Sequence, residues 1–342
     1  MRPLIFILLI SSYLLHHTAF ASNARADDPL VFDDHPLVDD EVHLPDWFSL
    51  SFLDLTDSLD EAKKAGKQGL IIYFGRKDCP YCKAHMENNW GNKRIADYTQ
   101  KHFNVIAIDV RGLRTVTDFD GKTYTEKQYA GKVKTNFTPS FLFYDTQQRL
   151  MLKLSGYRPP YQFKAALEYA ADHHYLREDF HHYMARAEKA LSYDQEELNE
   201  HDSFSPPPYN LDRSHFPAKQ PLVVFFESPY CHACDVLHGG PMSEPEIPLL
   251  LENLDAIQLN TTIDTPLIAP SGEKTTAKKW ADKLKLSFAP TLIFFDEHGK
   301  EILRVDSVIR LYRLKYLLMY IQTKGYKQYP TFQLWREHLF LP

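Results

Sequence analysis

Leu70-Ile71-Ile72-Tyr73-Phe74 leads, five residues on, into Cys79-Pro80-Tyr81-Cys82, and Leu222-Val223-Val224-Phe225-Phe226 leads at the same distance into Cys231-His232-Ala233-Cys234. A run of β-branched and aromatic residues ending in a turn, then a cysteine pair opening a helix, is thus written twice, 152 residues apart. The agreement extends outward. Gly121 matches Gly272, Tyr129 matches Trp280 and Pro139 matches Pro290, now 151 apart, so a single one-residue gap separates the cysteines from these later landmarks. Phe137-Thr138-Pro139-Ser140-Phe141-Leu142-Phe143-Tyr144-Asp145 then aligns with Phe288-Ala289-Pro290-Thr291-Leu292-Ile293-Phe294-Phe295-Asp296. The chain is a tandem duplication of one domain.

Each copy predicts the same order of elements. A strand ends at the cysteine pair and a helix follows, from Cys79 to about Trp90 and from Cys231 to Leu237. A second strand spans Val105 to Val110 and Ala256 to Asn260. A polar excursion with Asp120-Gly121 or Ser271-Gly272 leads to a short helix ending near Val133 or Leu284. The strand after the proline closes on Asp145 or Asp296, and a turn leads into one more strand. An amphipathic helix ends the copy, with Phe163, Ala166, Leu167 and Ala170 on one face, and Leu314, Leu317, Leu318 and Ile321 in the second. The first copy carries an extra helix in front, for which Ser58 and Glu61 form a capping box and Gly66 a stop. The order predicts an α/β fold, a central mixed sheet with helices on both faces, made twice.

The 342 residues, 44% hydrophobic and 25% charged, suit two globular domains and exclude a collagenous, coiled-coil or wholly disordered chain. A net charge of -6 gives no electrostatic footprint for nucleic acid. Residues 1–21 have the form of a cleaved signal peptide: Arg2, an apolar run from Leu4 to Leu15, and Ala19-Phe20-Ala21. The competing reading is an uncleaved anchor; no other stretch is long and apolar enough to span a bilayer. The expected organisation is a poorly ordered leader over 22–45, a first domain over 46–185, an acidic and Pro-rich linker over 186–215, and a second domain over 216–342. Leu176 to Leu191 reads as a further helix.

All four cysteines lie in the two C-x-x-C units, which at a helix start form a redox device: the first thiolate is stabilised by free N–H groups and the helix dipole, and the second can attack a mixed disulfide. A zinc site built from all four cysteines would require the duplicated sites to face each other. His85 and His238 could each join a cysteine pair as a third metal ligand, the alternative to solvated helix histidines, which is the expectation. His174, Glu178 and His182 share a face if their helix continues, with a polar surface as the default. Tyr157, Tyr161 and Tyr175 are expected to edge the core. Lys122, Lys127, Lys132 and Lys134 are expected on a solvated face. No metal or other cofactor is expected.

The strand–CxxC–helix unit, together with the aromatic-x-Pro-(Ser/Thr) segment before a strand ending in Asp, resembles thioredoxin-fold domains. With the Asp-Gly excursion it is similar to exported bacterial thioredoxin-related proteins of the SoxW-like group, over roughly residues 46–175 and 205–326. The resemblance implies that Cys79 and Cys231 attack and that Cys82 and Cys234 resolve. It also implies that Pro139 and Pro290 are cis-prolines facing them, and that Thr138 and Ala289 offer backbone groups to an extended substrate. Where thioredoxins bury an acid six residues before the first cysteine stand Tyr73 and Phe225, which leaves water, Glu227 or His232 to handle the proton. The expected activity is thiol:disulfide exchange on protein disulfides in the periplasm, as a reductase fed by a membrane-embedded electron donor. The alternatives are an oxidase or isomerase, or a tandem scaffold that binds a client or a metal.

Overall fold

The computed structural model describes residues 28–38, 40–189 and 198–340. The proposed signal sequence and the acidic start of the linker lie outside the described residues. In the first copy the elements run α1 (Leu55–Lys64), β1 (Gly69–Gly75), α2 (Pro80–His85), α3 (Lys93–His102), β2 (Phe103–Asp109), β3 (Thr115–Thr117), β4 (Thr123–Thr125), α4 (Glu126–Lys132), β5 (Ser140–Asp145), β6 (Leu150–Ser155), α5 (Pro160–Ala171) and α6 (Phe180–Lys189). The second copy runs β7 (Tyr209–Asn210), β8 (Leu222–Glu227), α7 (His232–Gly239), α8 (Glu246–Leu251), β9 (Asp255–Asn260), β10 (Pro266–Ile268), β11 (Lys274–Thr276), α9 (Ala277–Lys283), β12 (Thr291–Phe295), β13 (Glu301–Val305), α10 (Leu311–Gln322) and α11 (Phe332–Phe340).

Both sheets have one topology, β2-β1-β5-β6 and β9-β8-β12-β13. The cysteine-bearing strand is parallel to one neighbour and antiparallel to the other, with Ile71 opposite Val105 and Phe143, and Val224 opposite Ile257 and Ile293. The near-continuous apolar runs follow from burial of both faces. In the first copy Ile71, Tyr73, Phe141 and Phe143 pack under α5, while Leu70, Ile72, Phe74 and Leu142 pack under α1 and α4. Val223, Phe225, Leu292 and Phe294 face α8 and α10 in the second, and Leu222, Val224, Phe226 and Ile293 face α9. The α/β fold with helices on both faces of two mixed sheets is as expected from the sequence.

Several local expectations change. The side chain of Asp54 caps α1, accepting from the N–H groups of Thr56 and Asp57 at 2.9 and 3.1 Å. Ser58 lies one turn inside the helix and bonds back to the Asp54 carbonyl at 2.7 Å, so the capping box assigned to Ser58 and Glu61 started the helix one turn late. Gly66 does end it, in the left-handed region at φ 70°. The helix expected over Leu176 to Leu191 is a 3-10 turn at His174–Leu176 followed by α6 from Phe180.

Two segments expected outside the domains belong to them. Within the proposed linker, Tyr209–Asn210 pairs with β10, and the Phe204 ring lies 4.9 Å from that of Phe225. The described part of the expected leader is irregular but packed, with Leu30 and Asp34 buried. Apolar residues in both segments find the cores of the domains that follow them.

The copies also exchange side chains. Phe137, just before Thr138-Pro139, packs in the second copy's core against Phe332, and its counterpart Phe288 packs in the first, under the Arg158 guanidinium at 5.0 Å. The Val308 N–H donates to the Tyr157 carbonyl at 3.1 Å. These two residues are themselves equivalent, so the interface approximates a twofold arrangement of the two repeats.

Candidate active site

Cys79 and Cys231 each occupy the N-cap position, before α2 and before α7. Cys82 N–H donates to Cys79 Sγ at 3.0 Å, and Cys234 N–H to Cys231 Sγ at 3.1 Å. In this position the sulfur meets amide groups that have no partner within the helix. Each pair is joined as a disulfide, Cys79–Cys82 and Cys231–Cys234. Thr138-Pro139 and Ala289-Pro290 are cis peptides. In the first copy this brings Thr138 onto the cysteine: its hydroxyl donates to Cys79 Sγ at 3.3 Å and its carbonyl lies 3.6 Å away. Ala289 supplies no hydroxyl at the corresponding place.

The two sites differ in access. Cys79 and Cys82 are 1% and 0% exposed, whereas Cys231 is only half-buried. The Thr138 carbonyl is already used, accepting from Arg313 Nη2 of α10 at 3.1 Å. A cavity of about 10 Å³ remains beside Cys79, bounded by Asp34, Arg76, Thr138, Arg313 and Arg336 among others. It has room for roughly one water molecule.

Each cysteine-bearing strand carries a buried polar side chain near its end, at a different position in each copy. Tyr73 carries its buried hydroxyl up under Gly75, where an added Cβ would stand 2.1 Å from Oη. That hydroxyl has no hydrogen-bond partner among the described residues, and burial raises its pKa far above the ordinary phenol range. In the second copy Phe225 replaces Tyr73, and Glu227 stands where Gly75 was. The Glu227 carboxylate is fully buried, 2.9 Å from His238 Nε2, and accepts from Gln258 Nε2 at 2.9 Å. Sequence reading named Glu227 but not His238 as its partner, and it missed the exchange of Tyr73 for Glu227. The signal was present as a paired change, Tyr with Gly against Phe with Glu.

Both histidines expected on solvated helix faces are buried. His85 lies between the rings of Trp90 and Phe163, each 4.5 Å away, with Asn89 Nδ2 donating to its Nδ1 at 2.8 Å. Desolvation holds its pKa well below the ordinary imidazole value. The cause is the helix itself: residues three or four beyond the buried second cysteine share its inward face. His174, Glu178 and His182 do not line one helix face, because α6 starts after the first two; His182 instead bonds Asp179 at 2.7 Å. Tyr157 is fully buried, while Tyr161 is exposed and Tyr175 donates to Asp145. On the lysine stretch, Lys127 reaches Glu337 of α11 at 2.7 Å, and Lys132 pairs with Asp118.

A four-stranded mixed sheet with a cysteine pair capping the next helix and a cis-proline loop opposite defines a thioredoxin-type thiol:disulfide site. The family model for the thioredoxin-like domain matches residues 55–171 and again 216–322, and the chain belongs to that family through both halves. No protein of curated function matches the chain. Among solved structures, a thioredoxin-fold protein from Helicobacter pylori is similar at 23% identity and TM-score 0.33, covering 42% of this chain and 89% of its own. A thioredoxin from Thermus thermophilus matches at 20% identity and TM-score 0.25, over 31% of this chain and 76% of its own. The C-terminal domain of DsbD from Neisseria meningitidis, in its reduced form, matches at 14% identity and TM-score 0.22, over 33% and 82%. The family and the two cysteine pairs support a thiol-disulfide oxidoreductase. No helix among the described residues is long and apolar enough to cross a membrane.

Proposed function

We propose that the chain is an exported thiol:disulfide oxidoreductase, related to the SoxW-like group, that reduces disulfides of protein clients in the periplasm. The observation that carries this reading is the half-buried Cys231 at the start of α7, bonded by the Cys234 amide and set in a domain with a cis-Pro290 loop. In the reduced enzyme the Cys231 thiolate attacks one sulfur of a client disulfide. A mixed disulfide forms and the other client sulfur leaves as a thiolate. Cys234, losing its proton, then attacks Cys231 Sγ, so the enzyme disulfide forms and the second client thiolate departs. Two electrons pass from enzyme to client, and a membrane-embedded dithiol donor restores the enzyme. Cys79 and Cys82 have the same roles in the first copy. Thr138, Pro139, Ala289 and Pro290 supply the docking backbone.

Cys82→Ser and Cys234→Ser test the reading, because each blocks resolution and leaves attack intact. Mixed disulfides with exported proteins are expected to accumulate. A folded protein that captures no client in either variant favours a non-catalytic tandem scaffold. The direction follows from the two reduction potentials, since reducing and strongly oxidising members of this chemistry lie about 150 mV apart, about 7 kcal/mol for two electrons.

A further inference from the structure

The segment 28–38 touches both cysteine motifs through two aspartates six residues apart. Asp28 Oδ2 lies 2.8 Å from Nε2 of His232, inside the second motif. Asp34, buried, accepts from the Tyr81 hydroxyl, inside the first motif, at 2.7 Å. The same carboxylate accepts from the N–H groups of Tyr312 and Arg313, both at 2.8 Å. Asp34 thereby caps α10 from a distant part of the chain, a helix whose own N-cap residue, Arg310, makes no side-chain capping bond and instead donates from Nε to the Phe32 carbonyl at 3.1 Å. Tyr81 completes the junction, its oxygen accepting from the Arg310 N–H at 2.9 Å. Phe32 fills the space between, edge-on to Tyr81 at 5.0 Å and to Tyr157 at 5.8 Å. Leu37 N–H is tied to the Asp78 carbonyl, directly before Cys79, at 3.2 Å.

What this segment fastens is the lid over the first site. With Asp34 in place, α10 holds Arg313 on the Thr138 carbonyl, and its guanidinium stacks on Tyr81 at 3.3 Å. The Cys79–Cys82 pair is left almost without exposed surface, while the second pair keeps an opening at Cys231. A macromolecule cannot reach a sulfur that is 1% exposed and borders a cavity with room for about one water molecule.

We infer that residues 28–38 form a strap that holds the second domain closed over Cys79–Cys82, so that the closed chain meets protein substrates at Cys231 and exposes Cys79 only when the strap releases. The inference deepens the proposed exchange chemistry, on which it rests, by assigning the client-facing role to the second copy. The closure itself can be measured without any client. The full chain is reduced with excess dithiothreitol, which takes up both disulfides as its own cyclic disulfide, and is then freed of reagent. A maleimide carrying a long polyethylene glycol chain is added, and each cysteine is followed by peptide mass spectrometry. In the parent chain Cys79 is expected to react at least about tenfold more slowly than Cys231. Asp34→Ala removes three hydrogen bonds to a carboxylate and should speed Cys79 by about tenfold or more, leaving the Cys231 rate in place as a report of the folded second domain. Phe32→Ala, which spares the carboxylate, should move Cys79 in the same direction and decides the matter if Asp34→Ala does not fold. Equal rates for Cys79 and Cys231 in the parent, or no change at Cys79 in the folded variants, overturns the strap. Failure of the exchange reading instead appears as gated cysteines that capture no client.

Discussion

His85 makes stability depend on pH in a way that can be worked from its surroundings. It is fully buried among Trp90, Phe141 and Phe163, and desolvation lowers its pKa well below the ordinary 6.5. In the unfolded chain the imidazole takes up a proton as pH falls through 6.5, while the folded protein keeps it neutral. The unfolded state then binds more protons, so stability falls with pH, by about 1.4 kcal/mol per unit once the unfolded imidazole is charged. The loss ends where the folded-state pKa is reached. Between pH 7.5 and 5.5 it amounts to about 1.4 kcal/mol for this one group. The assay is urea unfolding followed by tryptophan fluorescence, in which Trp90 reports on the same cluster, for the parent and His85→Phe. The variant leaves an Asn89 N–H without its acceptor, a cost that is independent of pH and cancels in the comparison. The parent should lose about 1.4 kcal/mol more than the variant over this range. Equal losses in the two proteins would refute the reasoning, since they would mean that the folded state admits the proton as readily as the unfolded one.

Two further substitutions probe how the copies are packed. Gly75→Ala drives a methyl group into Tyr73, 2.1 Å from Oη and 2.4 Å from Cζ, and should cost about 1–3 kcal/mol in urea unfolding, with only a minor part recovered in the Gly75→Ala/Tyr73→Phe double variant, which keeps the ring carbons in place. Phe288→Ala removes a ring from the other copy's core and should cost about 3–5 kcal/mol, with proteolytic cutting between the domains appearing before either domain is lost.

The duplicated architecture was legible because its landmarks are local: an apolar run, a cysteine pair at a helix start, and a proline before a second apolar run. The family resemblance those landmarks carry implied the cis-prolines, and helical spacing placed the faces around Phe163 and Leu314. What was not legible depends on contacts between distant parts of the chain. Nothing local marks Phe137 and Phe288 as side chains that cross into the opposite copy, since an aromatic residue before a strand reads equally well as its own domain's core. Asp34 sits in a polar, proline-containing stretch with no helical or strand period, so its role as cap for α10, 278 residues away at Tyr312, leaves no trace in spacing. His85 was misplaced for another reason. A polar side chain one turn past a cysteine reads as surface, yet the cysteine's own burial turns that face inward.

The copies should also differ in thiol acidity, and the structure moves the cause away from the nearest charges. Lys77 and Lys83, adjacent to the first pair in sequence, point outward to Glu41 and Asp40 at 2.8 and 2.5 Å. The positive charge near Cys79 is instead Arg76, Arg313 and Arg336, lining the small cavity with Asp34 opposite. Burial, with Arg336 next in weight, pushes the Arg76 pKa down to about 9, as expected where positive charge is crowded in a dry interior. A thiolate at Cys79 relieves that crowding, whereas burial opposes the thiolate, so the two effects act in opposite directions. Hydrogen bonding then decides the difference. Cys79 Sγ receives Cys82 N–H and the Thr138 hydroxyl, while Cys231 Sγ receives Cys234 N–H, and the residue equivalent to Thr138 in that copy is Ala289, which has no hydroxyl. One added bond to a charged acceptor is worth about 1.5–3 kcal/mol, or about one to two pH units of thiol acidity. With one cysteine pair changed to serine at a time, thiolate ultraviolet absorbance against pH should therefore give the lower pKa to Cys79. Thr138→Ala should raise it by about one to two units, and Ala289→Thr should lower that of Cys231. If Thr138→Ala leaves the Cys79 titration where it was, the hydroxyl does not support the thiolate, and the order of the two sites must come from the arginines alone.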